Sequence, residues 1–336
     1  MAKIVFYTHA PAPALHKVEF YKQDIDALRA LGHQVVICTK VWEIPINFDA
    51  MFVWWWTHAF VPVFLSRLLG KPCIVTGTFD FQYPPTYKGR DYFRRPRWQQ
   101  FLIRMAAKHC SLNLFVNQLE LRQCSEYFSL ENVGYMPHCV SEDYLQGPST
   151  TRSNALFNLA WSSKENLIRK GIPELLGAVR ILKDQGCNAQ LYLAGGEGDG
   201  RQYLLEMIQG LELQTDVRHL GNLPREEKIR MLRETEIYVQ PSHYEGFGVA
   251  ILESMACGAC VVVRDVGAVR EVVGDCGYYV PSSDPNELAR AIEELRRNVA
   301  LRKTLQAKAM ERARSLFTFD QKVATLRRFL HGLGIE

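Results

Sequence analysis

Two glutamates eight positions apart, Glu245 and Glu253, bracket the glycines Gly246 and Gly248 in SHYEGFGVAILESMACGA, residues 242 to 259. Neither acid suits a helix that only fills a core, and glycines weaken a helix start. IYVQPS reads as the end of a strand, HYEGFG as a loop, and VAILESMACG as a helix with Val249, Leu252, Met255 and Ala256 on one apolar stripe. The backbone N–H groups of Phe247, Gly248 and Val249 then open a helix N-terminus, where an anion is favoured and glycine lets a phosphate come close. Glu245 would repel a bare phosphate and is better employed accepting hydrogen bonds from hydroxyls just beyond it. Glu253, about two turns further on, could take a vicinal diol bidentately. A sugar, a diphosphate and a ribose in succession fit this spacing. Taken alone the pair is a weak signal: Glu245 also suits the positive end of a helix, and Glu253 an ordinary helical surface.

The elements that must position these residues alternate along the whole chain. KIVFYT, HQVVICT, AMFVWWW, KPCIVTGT, SLNLFVN and VGYMP read as strands, with helices at FYKQDIDALRALG, 60 to 69 and RWQQFLIRMAAKHC. Residues 141 to 155, SEDYLQGPSTTRSNA, form a polar linker. A second alternation follows from ALFNLAW through GIPELLGAVRILKDQG, AQLYLAGG, YLLEMIQGLEL, VRHLG, REEKIRMLRETE, IYVQPS and ACVVVRD. The expected class is α/β, two facing doubly wound, Rossmann-like domains with parallel sheets. Ligands of such sheets sit at the carboxyl ends of strands, so an interdomain cleft is the default site.

The totals agree with two domains. The chain has 336 residues, 47% apolar and 23% charged, and a net charge of +4 that is compatible with phosphate-bearing ligands but does not demand them. Nine cysteines, an odd number, read as reduced thiols of a cytoplasmic protein, and Cys257 and Cys260 as packing residues at a helix–strand junction. MAKIVFYTHA enters a strand pattern without a basic leader. The run from Ala50 to Leu69 is interrupted by His58, Pro62 and Arg67, and splits into a buried strand and an amphipathic helix rather than a membrane span.

PSHYEGFGVAILESMACG resembles the Glu-x7-Glu signature of the retaining glycosyltransferases of family 4, which have the GT-B fold. LGHQVVI, MPHCVSEDYL, RKGIPELLGA, LAGGEGDG, HLGNLPREEKIRMLRETEIYVQPS, CVVVRDVGAVREVVGDCGYYVPSSDP and SLFTFDQKVATLRRFL follow in the family's order, densely after residue 157 and thinly before residue 110. The resemblance implies an N-terminal acceptor-binding domain at 1–148, a nucleotide-sugar-binding domain at 149–315, and a helix within 316–336 that crosses back to the first domain.

It further implies that Glu245 faces the transferred sugar, that the N–H groups of Phe247 and Gly248 hold sugar and diphosphate, and that Glu253 binds the ribose. Lys170 would neutralise the diphosphate. The family's companion arginine upstream is replaced in WSSKENLIRKG by Lys164 or Arg169. Asn222 and Leu223 would touch the nucleobase, while Gly195 and Gly196 let the strand end pass close to the nucleotide. The first half departs from the family. THAPAPALHKVE has no glycine pair, and IVTGTFDFQ offers Thr78, Phe79 and Asp80 where a histidine is usual. These departures suggest an unusual acceptor, with His9 or His16 as compensating candidates; a solvated loop histidine is the plainer reading of each.

The implied reaction transfers a hexose with retention of configuration, from a UDP-sugar or, next, GDP-mannose, to a glycan, lipid-linked or small-molecule acceptor. It needs no metal or other cofactor, the nucleotide diphosphate sugar being a co-substrate. Asp24 and Asp26 have a metal-like spacing, but i and i+2 diverge on a helix, so both are expected to be solvated. LAGGEGDG is a poor dinucleotide fingerprint, because Glu197 and Asp199 would crowd a pyrophosphate. The basic and aromatic stretch 87–101 fits acceptor or peripheral contact at the inner membrane face, against a plain solvated loop, and nucleic acid is disfavoured. Of Trp54, Trp55 and Trp56, one or two should serve the core and the remainder an acceptor. A GT-B epimerase or phosphorylase is a rival, as is a catalytically degenerate nucleotide-sugar-binding partner protein.

Overall fold

The computed structural model describes every residue except Thr86 and Arg90, and every side chain except those two and His16 and Lys17. It forms two compact units. One comprises Met1–Tyr83, Arg90–Cys139 and Phe317–Glu336, the other Pro84–Gly89 and Val140–Leu316.

The first unit has six parallel strands: β1 (Lys3–Tyr7), β2 (Gln34–Cys38), β3 (Ala50–Trp54), β4 (Cys73–Gly77), β5 (Leu112–Phe115) and β6 (Val133–Tyr135). They lie in the order β2-β1-β3-β4-β5-β6, with Val5 opposite both Val36 and Met51. Every residue of β3 and β4 is buried, as expected of strands covered on both faces. The helices are α1 (Ala12–Lys17), α2 (Glu19–Ala30), α3 (Phe60–Leu68), α4 (Arg97–His109) and α5 (Gln118–Phe128). In sequence the segment of α1 has the look of a loop, because its prolines mask a helix that carries Pro13 in the first turn, where a missing N–H costs nothing.

The second unit repeats the plan with β7 (Ser153–Leu159), β8 (Leu191–Ala194), β9 (Val217–Gly221), β10 (Thr235–Gln240), β11 (Cys260–Arg264) and β12 (Tyr278–Val280). Their order is β12-β11-β10-β7-β8-β9, all parallel. The helices are α6 (Lys164–Arg169), α7 (Ile172–Asp184), α8 (Arg201–Gly210), α9 (Arg225–Glu234), α10 (Val249–Ala256), α11 (Val269–Val273), α12 (Pro285–Arg297) and α13 (Val299–Leu316). The strand order reverses at β7, between β10 and β8, so the carboxyl ends of β7 and β10 border the switch point at which open sheets bind ligands.

A last helix, α14 (Phe319–Gly332), starts at a reciprocal cap between Thr318 and Gln321 and packs on α2 of the first unit. The joint corrects the reading of Asp24. Asp24 and Asp26 do point apart, but only Asp26 is at the surface, paired with Lys22 at 2.6 Å. Asp24 is buried, 2.8 Å from the equally buried Lys322 and hydrogen-bonded by Trp54 Nε1 at 2.9 Å. Burial pushes its carboxyl up, against the opposing pull of Lys322. Two of the three tryptophans, Trp54 and Trp56, are in the core, and Trp56 Nε1 donates to Asn113 at 2.8 Å. Trp55, at φ +76°, is half-buried with its N–H on Tyr21 Oη at 2.6 Å.

Residues 50 to 69 resolve into β3, a short turn and α3, and among the described residues no helix is long and apolar enough to cross a membrane. Cys257 and Cys260 are buried at the end of α10 and the start of β11, and burial pushes both thiols up to about 12. Neither is a reactive thiolate.

Candidate functional site

The loop from Pro241 to Gly248 leaves the carboxyl end of β10 and enters α10, whose cap, Gly248, has φ +96°. It is clamped from two sides. The α6–α7 junction contributes Arg169, whose carbonyl accepts from His243 N at 2.7 Å and whose Nη1 donates to Tyr244 O at 2.9 Å. Gly171 follows at φ +70°, so close that a Cβ there would stand 2.5 Å from Pro241 O. On the other side, Ala268 N donates to Glu245 O at 2.9 Å, and a Cβ on Gly267 would fall 2.1 Å from that same oxygen. Only glycine fits at either position.

This clamp fixes Glu245, which is buried. Gln240 Nε2 at 2.8 Å and Ser242 Oγ at 3.1 Å donate to its Oε1, and Arg169 Nη1 at 3.1 Å and Lys170 Nζ at 3.9 Å face the same atom. Oε2 has no protein partner among the described residues. Burial would push the carboxyl up, but Arg169, Lys170 and the Ser242 hydroxyl outweigh it and hold the group below the ordinary carboxylate range. Glu245 is thus an ionised carboxylate with one oxygen saturated and the other available.

Lys170 caps α6 and is buried, donating to Leu159 O at 2.9 Å and to Gln240 Oε1 at 3.2 Å. An ammonium has three protons, so one remains. Burial brings it down to about 8, against the attraction of Glu245. Tyr238 Oη donates to the same Gln240 oxygen at 2.6 Å, which fixes the amide that links lysine and glutamate.

Glu253 lies in α10, also buried. Its Oε1 takes Lys228 Nζ at 2.8 Å and Tyr144 Oη at 3.0 Å, and its Oε2 again has no protein partner among the described residues. Of the two candidates left open as companions to Lys170, the structure brings Arg169 to Glu245, whereas Lys164 Nζ lies over the Tyr203 ring at 4.9 Å.

Two of the glycines after β8, Gly195 and Gly200, allow close packing of the chain. A Cβ on Gly195 would meet Ala160 O at 2.1 Å, and one on Gly200 would meet Lys164 N at 2.4 Å, so the loops after β7 and β8 are pressed together. Gly196 instead faces the Trp161 ring, 3.7 Å from where its Cβ would be. Asn222 and Leu223 follow β9, the first exposed and the second half-buried.

In the first unit, Thr78 and Asp80 lie in the segment after β4, which the buried Glu120 holds through Phe79 N at 2.8 Å and Asp80 N at 2.7 Å. Asp80 has φ +55°. His9 is exposed and stacks on His58 with ring centroids 4.5 Å apart, while the side chain of His16 lies outside the described residues. No group of His, Cys, Asp and Glu among the described residues is arranged to hold a metal ion.

Of the residues singled out from the sequence, the structure brings Lys170 to Glu245 and buries Glu253 in α10. Gln240, Ser242, Tyr144 and Lys228 carry no such signal in the sequence, being neutral or distant, and their contacts with the two glutamates appear only once the loop is folded. Gly171 stands in the quoted RKG, and Gly267 follows the strand ending CVVVRD, a position where a glycine signals close backbone approach.

Residues 157–312 match the family model described as glycosyl transferases group 1. O-antigen chain mannosyltransferase B of Escherichia coli is 30% identical over 164 residues, 47% of this chain and 43% of that protein. Alpha-D-kanosaminyltransferase of Streptomyces kanamyceticus is 26% identical over 265 residues, 75% of this chain and 68% of that one. Among solved structures, Anabaena Alr3699/HepE in complex with UDP and glucose superposes with a TM-score of 0.79 at 16% identity, covering 98% of this chain and 100% of that one. The chain spans about half the length of the curated relatives it matches first, 43% and 46%.

Proposed function

We propose that the chain, whose residues 157–312 match the group 1 glycosyltransferase model and whose fold is GT-B, transfers a hexose from a nucleotide diphosphate sugar with retention of configuration. The observation that carries this reading is the one-sided Glu245, its Oε1 held by Gln240, Ser242, Arg169 and Lys170 and its Oε2 left for a sugar hydroxyl. Glu253, steadied in the same one-sided way by Lys228 and Tyr144, takes the ribose diol.

The reaction asks for electrostatic stabilisation more than for a base. As the bond from the anomeric carbon to the diphosphate breaks, that carbon gains oxocarbenium character and the leaving oxygen gains charge. The third proton of Lys170 and the N–H groups that open α10 at Phe247, Gly248 and Val249 meet that charge. The acceptor attacks from the face the diphosphate leaves, and the departing phosphate oxygen takes its proton. Arg169 holds Glu245 ionised. Asn222 and Leu223 border the nucleobase, Gly195 and Gly196 the nucleotide, and His9, Thr78 and Asp80 the acceptor. No step calls on a metal.

UDP-sugars are the favoured donors, since HepE, a similar fold, is described in complex with UDP and glucose; GDP-mannose comes next, given a mannosyltransferase relative. The acceptor is a glycan, a lipid-linked sugar or a small molecule. Release of UDP or GDP from UDP-glucose, UDP-N-acetylglucosamine and GDP-mannose, followed by chromatography, tests the reading on the wild type and Glu245→Gln. One donor should turn over, with Glu245→Gln binding it and failing to turn it over. Release from none, or equal release by the variant, would overturn it.

A further inference from the structure

The face of α4 turned away from the sheet combines exposed aromatic rings with unpaired positive charge. Trp98 and Phe101 are 66% and 58% exposed, and Phe93, in the turn before the helix, is 41% exposed. At about 100° per residue, Arg97, Phe101, Arg104 and Lys108 fall within an arc of about 60°, with Trp98 about 60° beyond its edge. Ile103, Ala106 and Ala107 are buried on the opposite side, so the helix is fully anchored without these residues. Gln100 Nε2 donates to Phe93 O at 3.3 Å and to Arg95 O at 2.8 Å, which fixes the aromatic turn onto the helix.

Charge on this face has one sign. From Tyr92 to Leu119 there is no aspartate or glutamate, against five arginines and lysines. Arg94 lies 3.7 Å from the buried Asp91, but among the described residues no carboxylate pairs with Arg97, Arg104 or Lys108. The neighbouring α3, packed on α4 with Phe64 against His109 at 5.5 Å, adds Leu68, 84% exposed, and lies in a second stretch without acids, from Ala50 to Phe79.

We propose that this α4 face docks on an anionic lipid surface. Aromatic rings beside long cationic side chains suit the boundary between headgroups and acyl chains, where the rings enter and the charges stay with the phosphates. A protein partner would call for an apolar centre depleted of charge and a polar rim; here Phe101 sits between Arg97 and Arg104, and a repeating array of phosphates is the better match. The inference is separate from the transfer reaction, since vesicle binding requires neither donor nor turnover.

Co-sedimentation of the full chain with phosphatidylcholine vesicles, with and without phosphatidylglycerol, tests it. Binding should require phosphatidylglycerol and weaken with salt. The triple variant Arg97→Gln, Arg104→Gln, Lys108→Gln should bind about a hundredfold more weakly, and Trp98→Ser with Phe101→Ser about tenfold. All are surface changes, and unchanged circular dichroism melts confirm folding; triple substitution of the same cations, with lysine for each arginine and arginine for Lys108, should retain binding. No binding to anionic vesicles would overturn the proposal. So would binding that neither variant reduces, or binding to soluble heparin that competes fully and ignores the loss of Trp98 and Phe101.

Discussion

Lys170 Nζ stands 3.9 Å from Glu245 Oε1, while its hydrogen bonds go instead to the Leu159 carbonyl and to Gln240, which itself donates to Glu245. The amide therefore spaces a buried cation from a buried anion, leaving the lysine one proton and the glutamate one oxygen. If that proton meets the leaving diphosphate, Lys170→Ala should lower kcat by a few hundredfold, of the order found for one preorganised donor. Donor affinity should fall far less. Steady-state kinetics alongside donor titration separate the two effects, and near-normal turnover would remove Lys170 from the reaction.

The same lysine sets opposite pH trends for activity and stability. Burial lowers it from an ordinary 10.5 to about 8 in the folded chain. Between those values the unfolded chain holds more protons, so this group makes stability rise with pH. Turnover should fall over the same window as the charged form disappears. Donor binding should take up a proton above pH 8, which calorimetry in two buffers of different ionisation heat detects.

Gly267→Ala tests the clamp without touching a charged group. A methyl group there would fall 2.1 Å from Glu245 O, at a φ of +55°. Strain of this kind costs on the order of 1–3 kcal/mol, and it falls on the loop that carries Glu245. A reduced melting temperature with a larger loss of kcat is the expected outcome, whereas Gly186→Ala, with open space around it, should leave kcat unchanged.

Asp24 and Lys322 are the buried pair that fastens α14 to α2. Lys322→Met alone leaves an unpaired buried carboxylate and should cost about 3–5 kcal/mol in denaturant unfolding. Adding Asp24→Leu should recover much of that loss, because the remaining cost is the stranded charge.

How far the sequence discloses this arrangement depends on where each residue's partner lies. The strand–helix alternation and the Glu245–Glu253 spacing are local, and both sheets follow from them. Asp24 has no visible partner in sequence because Lys322 comes from the far end of the chain, and helical period alone says which way a side chain points but not what meets it. Gln240 and Ser242 carry no charge and so gave no signal, though they fix which oxygen of Glu245 is free. Nothing local to Gly195 signals that a Cβ there would meet Ala160 O. Backbone contacts between loops leave no periodicity to read.

The most direct test is calorimetric titration of UDP, GDP, ADP and their common sugars into the wild type and Glu253→Ala. One nucleotide series should bind, and its affinity should drop by about tenfold or more when the carboxylate held by Tyr144 and Lys228 is removed. Binding of no nucleotide, or equal affinity in the variant, would contradict a ribose contact at Glu253 and with it the reading of this loop and helix as a nucleotide-sugar site.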